Sequence, residues 1–258
     1  FAEAGAVLDE PRYLDVARRN ARFLLDELRR HDGRVMRSWR DGAVSVPGFC
    51  EDYAAVALGL FALYQATGEI RWYEDATSLS TDLMDLFADP DGSGFFGSGH
   101  DAEKLIARPK PVLDNPTPSD NALAAEALLT LAAFGRDADA VGAAAGALQA
   151  AGAVAARYPA AAAYALALYA AGPGRRQVAI VGRADDSART ALQHVVWESF
   201  RPEIVAAVSD GAEAAAVPLL AGRTPHEGPA LAYVCRDFAC DLPTGDPAVL
   251  RSQLAGGA

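Results

Sequence analysis

The sequence predicts a mainly α-helical fold made of helical hairpins, followed by a small C-terminal α/β appendage. Two long runs rich in alanine and leucine begin after Pro47 and Asp114, with apolar residues at helical spacing on nearly all sides. A more amphipathic run follows each of them, which predicts an inner helix paired with an outer one. After Gly174 the pattern changes to short apolar runs of strand type. We therefore expect a helical body over residues 1–172 and the appendage over residues 173–258.

The amino-acid composition argues against some classes of binding partner. The chain has 258 residues, of which 51% are hydrophobic, and this is enough to bury a sizeable core. Its net charge is −11 and its 23 Lys and Arg residues are scattered, which argues against nucleic acid and anionic membranes. Gln149, Arg157 and Pro159 interrupt the alanine-rich stretch 141–171, so we expect a buried helical pair there and no membrane span. A small-molecule ligand remains compatible with this composition.

The N-terminal part is predicted to hold an outer helix and a strand hairpin. Pro11 opens a helix that runs to about Arg30, with one apolar and one charged face. The segment Gly33–Gly42 alternates in a strand-like way and ends in Asp-Gly, which favours a hairpin turn. We expect Arg37 and Trp39 to be its inward residues. The first residue is Phe, so we also expect the chain to be part of a longer protein.

The first inner helix begins at the junction with this hairpin. Glu51 and Asp52 fall in its first turn, where the unpaired N–H groups and the helix dipole favour carboxylates. These two carboxylates either cap the helix or belong to a functional site. An outer helix over Ile70–Phe87 follows, and then an irregular excursion over Asp89–Leu113, a length that is more often functional than not.

The second hairpin repeats the first. Its inner helix starts near Ser119 and its outer helix covers roughly Ala138–Arg157. One more inner helix starts at Tyr158. In the appendage, the pattern predicts strands over Gln177–Gly182, Glu203–Val208 and Ala230–Cys235 and a helix over Ser187–Phe200. No glycine-rich phosphate-binding pattern follows the first strand, so we expect no cofactor.

Several motifs in this order closely resemble one known family. They are Gly48–Ala54, Gly94–Phe96, Asp101–Glu103, Arg108–Lys110, Pro118–Asn121 and Tyr233–Cys240. The chain resembles, over essentially its whole length, the C-terminal part of the thioredoxin-domain-containing family of the bacterial YyaL proteins and mammalian spermatogenesis-associated protein 20. The resemblance implies a preceding thioredoxin-fold domain and an (α/α)6 toroid similar to N-acylglucosamine 2-epimerases and six-hairpin glycosidases. This chain would then be a partial toroid.

The chain departs from these patterns in two places. Family members more often carry Gly where this chain has Asp120. The catalytic histidines of the epimerases have no counterpart, because His31, His100, His194 and His226 do not fall at the starts of inner helices. Epimerase chemistry therefore does not carry over.

In a toroid of this type, the loops before the inner helices converge on one funnel. A sugar site needs aromatic faces, carboxylates and amides, and hydrolysis needs an acid and a base. We therefore predict Asp52 and Asp114 as catalytic residues in one shared pocket. The predicted substrate-binding residues are Arg37, Trp39, Glu51, Phe95, Ser119 and Asn121.

Each of these residues also has a structural interpretation. Ser119 is well placed as a helix N-cap, and Asp114 and Asn121 are suited to tying down a long loop. Trp39 and Phe95 fit the role of loop anchors. We predict no metal site.

The three cysteines, an odd number, fit a reducing cytoplasm. Cys235 and Cys240 have the wrong spacing for a Cys-x-x-Cys motif and are too few for zinc, so we expect buried thiols. Cys50 lacks a neighbouring histidine and is not predicted as a nucleophile.

Two hypotheses for the function stay open. The first is an enzyme acting on a carbohydrate by acid/base catalysis, glycosidase-like or epimerase-like in class. The second is a non-catalytic binding or scaffold module whose redox role lies in the thioredoxin domain.

Overall fold

The computed structural model describes residues 1–103, 106–172, 174–210, 216–223 and 228–256. Within these ranges the protein is mainly helical, with a two-stranded hairpin in its N-terminal part and a four-stranded sheet in its C-terminal part. The predicted mainly α-helical class with a small α/β part is thus confirmed. Pro173, where the sequence pattern changes, lies outside the described residues.

Most helices and strands follow the predicted order, and the structure adds a short strand and a helix after the last predicted strand. The helices are α1 (Ala2–Val7), α2 (Pro11–Glu27), α3 (Cys50–Thr67), α4 (Ile70–Phe87), α5 (Asp120–Gly135), α6 (Ala138–Arg157), α7 (Ala163–Ala171), α8 (Ser187–Trp197) and α9 (Pro247–Ala255). The strands are β1 (Met36–Arg40), β2 (Ala43–Pro47), β3 (Arg176–Val181), β4 (Ile204–Ser209), β5 (Leu231–Arg236) and β6 (Ala239–Cys240). The inner helix predicted to start at Tyr158 begins instead as a short 3-10 turn, Pro159–Ala162, before α7.

Two helical hairpins form the centre of the body. α3 packs against α4, α5 packs against α6, and α3 and α5 lie side by side. Both inner helices end at a residue in the left-handed conformation, Gly68 with φ of 73° and Arg136 with φ of 56°. Such a residue closes the last turn of a helix and redirects the chain. The rings of Phe61 and Phe134 stack between the two inner helices with centroids 5.7 Å apart.

The C-terminal sheet has the strand order β4-β3-β5-β6. β3 and β4 are parallel, and the other pairs are antiparallel. β3 is buried along its whole length, which explains its continuous apolar run. Its alternate residues face two cores. Ala179 and Val181 face the core shared with α3 and α5, whereas Val178 and Ile180 face the core shared with α8 and α9.

The hydrophobic core continues across the predicted boundary at residue 172. Val205 and Ala207 of β4 belong to the same cluster of buried residues as the inner helices. The side-chain oxygen of Gln65 on α3 accepts a hydrogen bond from the backbone N–H of Ala206 at 2.9 Å. The sheet is therefore a layer between the helical body and the helices α8 and α9. The division into two domains stays a prediction.

The expectation that Arg37 and Trp39 point inward is wrong. Met36 is the buried residue of β1, and the four residues that follow it are exposed. Trp39 is 40% exposed. Its indole N–H donates to Glu27 at 3.3 Å, and its ring meets Phe23 edge to face. The hairpin lies against the surface of α2, so the side chains of β1 after Met36 reach neither core.

The expectation of two buried thiols near the C-terminus is also wrong. Cys235 and Cys240 form a disulfide. They are direct cross-strand neighbours on β5 and β6, a pairing that sequence spacing alone does not reveal. Cys50 is a free cysteine and is buried.

Among the described residues, α6 is long and apolar enough to cross a membrane by length and composition. Helices packed in protein cores share this property. The alanines at positions 140, 144, 147 and 151 of α6 are buried in the protein, and the helix packs along α5.

Candidate functional site

Three carboxylates gather where the two inner helices begin. Glu51 and Asp52 lie in the first turn of α3, and Asp120 is the first residue of α5. The unpaired N–H groups and the positive end of the dipole favour acidic side chains at both positions. Asp120 is not among the site residues that the sequence predicts. The common position at the start of an inner helix is the signal that would have included it.

Arg37 holds the carboxylates of α3 from the β1 strand. Its Nη1 lies 2.8 Å from Glu51 Oε1 and 2.8 Å from Asp52 Oδ2. Its guanidinium also covers the ring of Phe49. The hydrogen bond to Glu51, followed by the charge of Asp52, raises the pKa of Arg37. Asp52 Oδ2 in addition accepts the backbone N–H of Phe49 at 2.8 Å, so Asp52 caps its own helix.

Asp120 has a raised pKa. Burial, and then the negative charge of Glu51, raises the pKa of Asp120 to about 6. Burial likewise raises the pKa of the Cys50 thiol, and the charge of Asp120 adds to the effect. Cys50 is therefore held as a neutral thiol, which is the wrong state for a nucleophile. Asp120 is a carboxylic acid that changes its charge close to neutral pH.

The position of Asp114 suits its structural interpretation. Its Oδ1 accepts the N–H of Ser119 at 2.9 Å and its Oδ2 accepts the N–H of Tyr164 at 2.8 Å. Both oxygens thus tie the loop before α5 to the start of α7. The negative charges of Glu51 and Asp52 help to raise the pKa of Asp120. A shared pocket of Asp52 and Asp114 stays a prediction.

The remaining predicted residues hold the long excursion in place. Asn121 is fully buried and accepts the N–H of Phe95 at 2.8 Å. It also donates to the carbonyls of Phe95 at 3.0 Å and Pro111 at 2.7 Å. Ser119 is the N-cap of α5, and Phe95 is only 1% exposed. The ring of Phe95 is therefore a core contact and offers no open face.

A large groove runs along the inner helices. Its volume is about 1040 Å³, and none of the eight predicted residues lines it. We call it the inner-helix groove. Ala55 and Gly59 of α3 form one wall, and Glu126 and Thr130 of α5 form another. Further walls come from α1, α2 and the segment that follows α8.

A polar triad lies on the wall of this groove. The Tyr164 hydroxyl donates to Glu126 Oε2, and Arg175 Nη2 lies 3.7 Å from Glu126 Oε1. The side chains of Arg175 and Glu126 are only 12% and 22% exposed. Burial is the main cause that raises the pKa of Tyr164 and lowers the pKa of Arg175. The groove thus presents a carboxylate, a phenol and a guanidinium in a largely desolvated setting.

None of the three residues of this triad is predicted from the sequence as a site residue. A signal for Glu126 was present, because it is the one acidic residue past the first turn of α5. A carboxylate in such a helix needs a partner when it is buried. Tyr164 and Arg175 are far away in sequence, so they carried no comparable signal. In the described part of the chain, no group of three or more His, Cys, Asp or Glu residues is arranged to hold a metal.

The fold and the groove together define a helical-hairpin protein with an attached α/β layer and a polar site on the wall of the groove. No protein-family model matches the chain. The chain is 32% identical over 273 residues to spermatogenesis-associated protein 20 of Homo sapiens, and the match covers 98% of this chain. The same protein of Mus musculus is 31% identical, and that of Rattus norvegicus is 32% identical, each over 98% of this chain.

These matches confirm the resemblance to the spermatogenesis-associated protein 20 family that the motifs predicted. The chain spans about a third of the length of these relatives, since the matches cover 34% of each.

Proposed function

We propose that this chain is the ligand-binding part of a toroid of helical hairpins, and that the inner-helix groove holds a carbohydrate or a similar polyhydroxylated molecule. The Glu126, Tyr164 and Arg175 triad on the groove wall carries this proposal. A carboxylate, a phenol and a guanidinium provide donors and acceptors for sugar hydroxyls. Trp197 and Phe200 also line the groove, and Phe200 is 92% exposed. Their rings are suited to the apolar face of a sugar.

The acidic cluster supports a second candidate, in which the same ligand is turned over. Glu51 is four residues before Ala55 and eight before Gly59, and residues at this spacing share one face of a helix. Of the three carboxylates, Glu51 therefore lies on the face of α3 that lines the groove, one turn before Ala55. Asp120, with a pKa of about 6, is suited to act as a general acid near neutral pH, and Glu51 or Asp52 would serve as the base. Arg37 forms ion pairs with both of these acids.

The proposal also includes the cellular location of the protein and the domain that precedes this chain. We propose that the protein is cytoplasmic and that a thioredoxin-fold domain precedes this chain in the full-length protein. Any redox role would belong to that domain. In the scaffold alternative, the groove holds its ligand without chemistry.

A thermal-shift screen of monosaccharides and disaccharides tests the binding site. At a hundredfold excess over Kd, a ligand should raise Tm by about 5–10 °C in a chain of this size. Glu126→Gln should abolish this rise, because the amide pairs poorly with Arg175 and with the ligand. Glu74→Gln, an exposed position on α4, is the matched control and should keep it. If no sugar raises Tm, or if both variants respond equally, the groove is not a sugar site.

Product analysis separates the two candidates. With a sugar that binds, Asp120→Asn should keep the rise in Tm and lose turnover if the acidic cluster is catalytic. If the unmodified chain binds the sugar and forms no product, the protein is a binding module.

A further inference from the structure

The disulfide of the C-terminal hairpin has one sealed and one accessible sulfur. Cys235 and Cys240 are paired across β5 and β6, with their Cα atoms 3.9 Å apart. Cys235 is 1% exposed, whereas Cys240 is exposed. A thiol in solution can therefore approach Cys240 Sγ, while Cys235 Sγ lies on the protein side of the bond.

A cation lies against both sulfurs. Arg223 Nη2 is 2.9 Å from Cys240 Sγ and 3.5 Å from Cys235 Sγ. Two further contacts orient the guanidinium, because Nη1 donates to the carbonyl of Leu219 and the group lies over the ring of Tyr233. Partial burial lowers the pKa of Arg223, because removing the charged guanidinium from water is unfavourable.

The position of Arg223 suits the reduced state of this pair better than the oxidised one. Disulfide sulfur is neutral and a weak acceptor of hydrogen bonds. A thiolate carries a full negative charge, and a neighbouring arginine lowers the pKa of a cysteine thiol. The favourable interaction with Arg223 therefore becomes large only when the S–S bond opens.

We propose that Cys235, Cys240 and Arg223 form a thiol–disulfide exchange site whose co-substrate is a dithiol. One thiolate of the dithiol attacks Cys240 Sγ and forms a mixed disulfide. The bond between the two cysteines breaks, and its electron pair leaves on Cys235 Sγ, next to Arg223. The second thiol of the dithiol loses its proton to water. The resulting thiolate attacks the other sulfur of the dithiol, which is bonded to Cys240 in the mixed disulfide, and Cys240 is released as a thiolate. The dithiol is oxidised to a disulfide, and the protein pair is reduced by two electrons.

This assignment differs from a disulfide that only staples the hairpin. A staple has no use for a partly buried cation, so its rate of reduction should not depend on Arg223. An exchange site should react in the folded protein, at a rate that depends on Arg223.

The test measures the rate of reduction by dithiothreitol at pH 7 in the folded full chain. Alkylation followed by mass spectrometry reports Cys235 and Cys240 separately from Cys50. For the unmodified chain, the rate should rise linearly with dithiothreitol and be unchanged by low concentrations of urea. Arg223→Gln should slow the reaction by about 3–10-fold, because the leaving thiolate loses its stabilising charge.

Arg236→Gln is the matched control. It removes a positive charge from the residue that follows Cys235 on β5. The side chain of Arg236 contacts the carbonyl of Gly256 instead of a sulfur. Its rate should stay within about twofold of the unmodified chain. Equal rates in the two variants would overturn the proposal. If Arg223→Gln does not fold, the urea series on the unmodified chain decides, because reduction that requires unfolding makes the disulfide a staple.

Discussion

The hydroxyl of Tyr164 at the start of α7 donates a hydrogen bond to the carboxylate of Glu126 in the middle of α5. The other oxygen of that carboxylate pairs with Arg175, just before β3. One carboxylate thus connects the last helix of the body, the second inner helix and the entry to the sheet. The same contact forms part of the groove wall, so stability and ligand binding share these residues.

We expect Tyr164→Phe to destabilise the protein by about 1–3 kcal/mol, because Glu126 Oε2, in a side chain that is only 22% exposed, then loses its donor. Urea unfolding followed by circular dichroism measures the change. Tyr169→Phe is the control, since Tyr169 is 75% exposed on the same helix, and its effect should stay within about 0.5 kcal/mol. Equal stabilities of the two variants would show that the hydrogen bond contributes nothing.

Asn121 should matter most for the excursion between α4 and α5. Asn121→Ala leaves the N–H and the carbonyl of Phe95 without the side-chain partners they have. The carbonyl of Pro111 loses its bond to the side chain and keeps only the backbone N–H of residue 121 at 3.4 Å. We expect a loss of about 2–4 kcal/mol, less than the sum of three separate bonds because the loop relaxes.

Hydrogen exchange locates the effect of Asn121→Ala. Protection should fall first in the excursion and in the first turn of α5. Asn115→Ala, at an exposed position of the same loop, should leave the pattern unchanged. A uniform loss of protection throughout the chain would contradict the local role of Asn121.

Asp120 should make stability depend on pH in a defined window. Its pKa is about 6 in the folded state and near 3.8 when unperturbed, so the folded state holds the proton more tightly. Stability should therefore decrease as the pH rises from about 4 to about 6 and stay lower above that range. Asp120→Asn removes this dependence and should gain on the order of 1–2 kcal/mol at pH 7, after allowance for partial solvent exposure.

The difference between Asp120→Asn and the unmodified chain isolates this group, because the other acids cancel. It should be near zero at pH 4 and reach its full value above pH 6. Parallel stability curves would mean that the pKa of Asp120 is not raised.

Local patterns in the sequence were enough for most of the secondary structure. The bounds of α4 and α6 agree with the predicted Ile70–Phe87 and Ala138–Arg157, because apolar periodicity and capping act within a few residues. The same local logic explains why the cap interpretation of Ser119 and the loop-tying interpretation of Asn121 fit the contacts found.

Only the tertiary structure decided which distant residues meet. The sequence contained Asp114 and Asp120 in one short stretch, but the packing of α3 beside α5 places Asp120 near Glu51, and burial there raises its pKa. Strand register joined Cys235 to Cys240 and brought them to Arg223. Helix packing gave Glu126 its partners. The physical reason is that hydrogen bonds, ion pairs and desolvation depend on distances of a few ångströms, and separation along the chain does not set those distances.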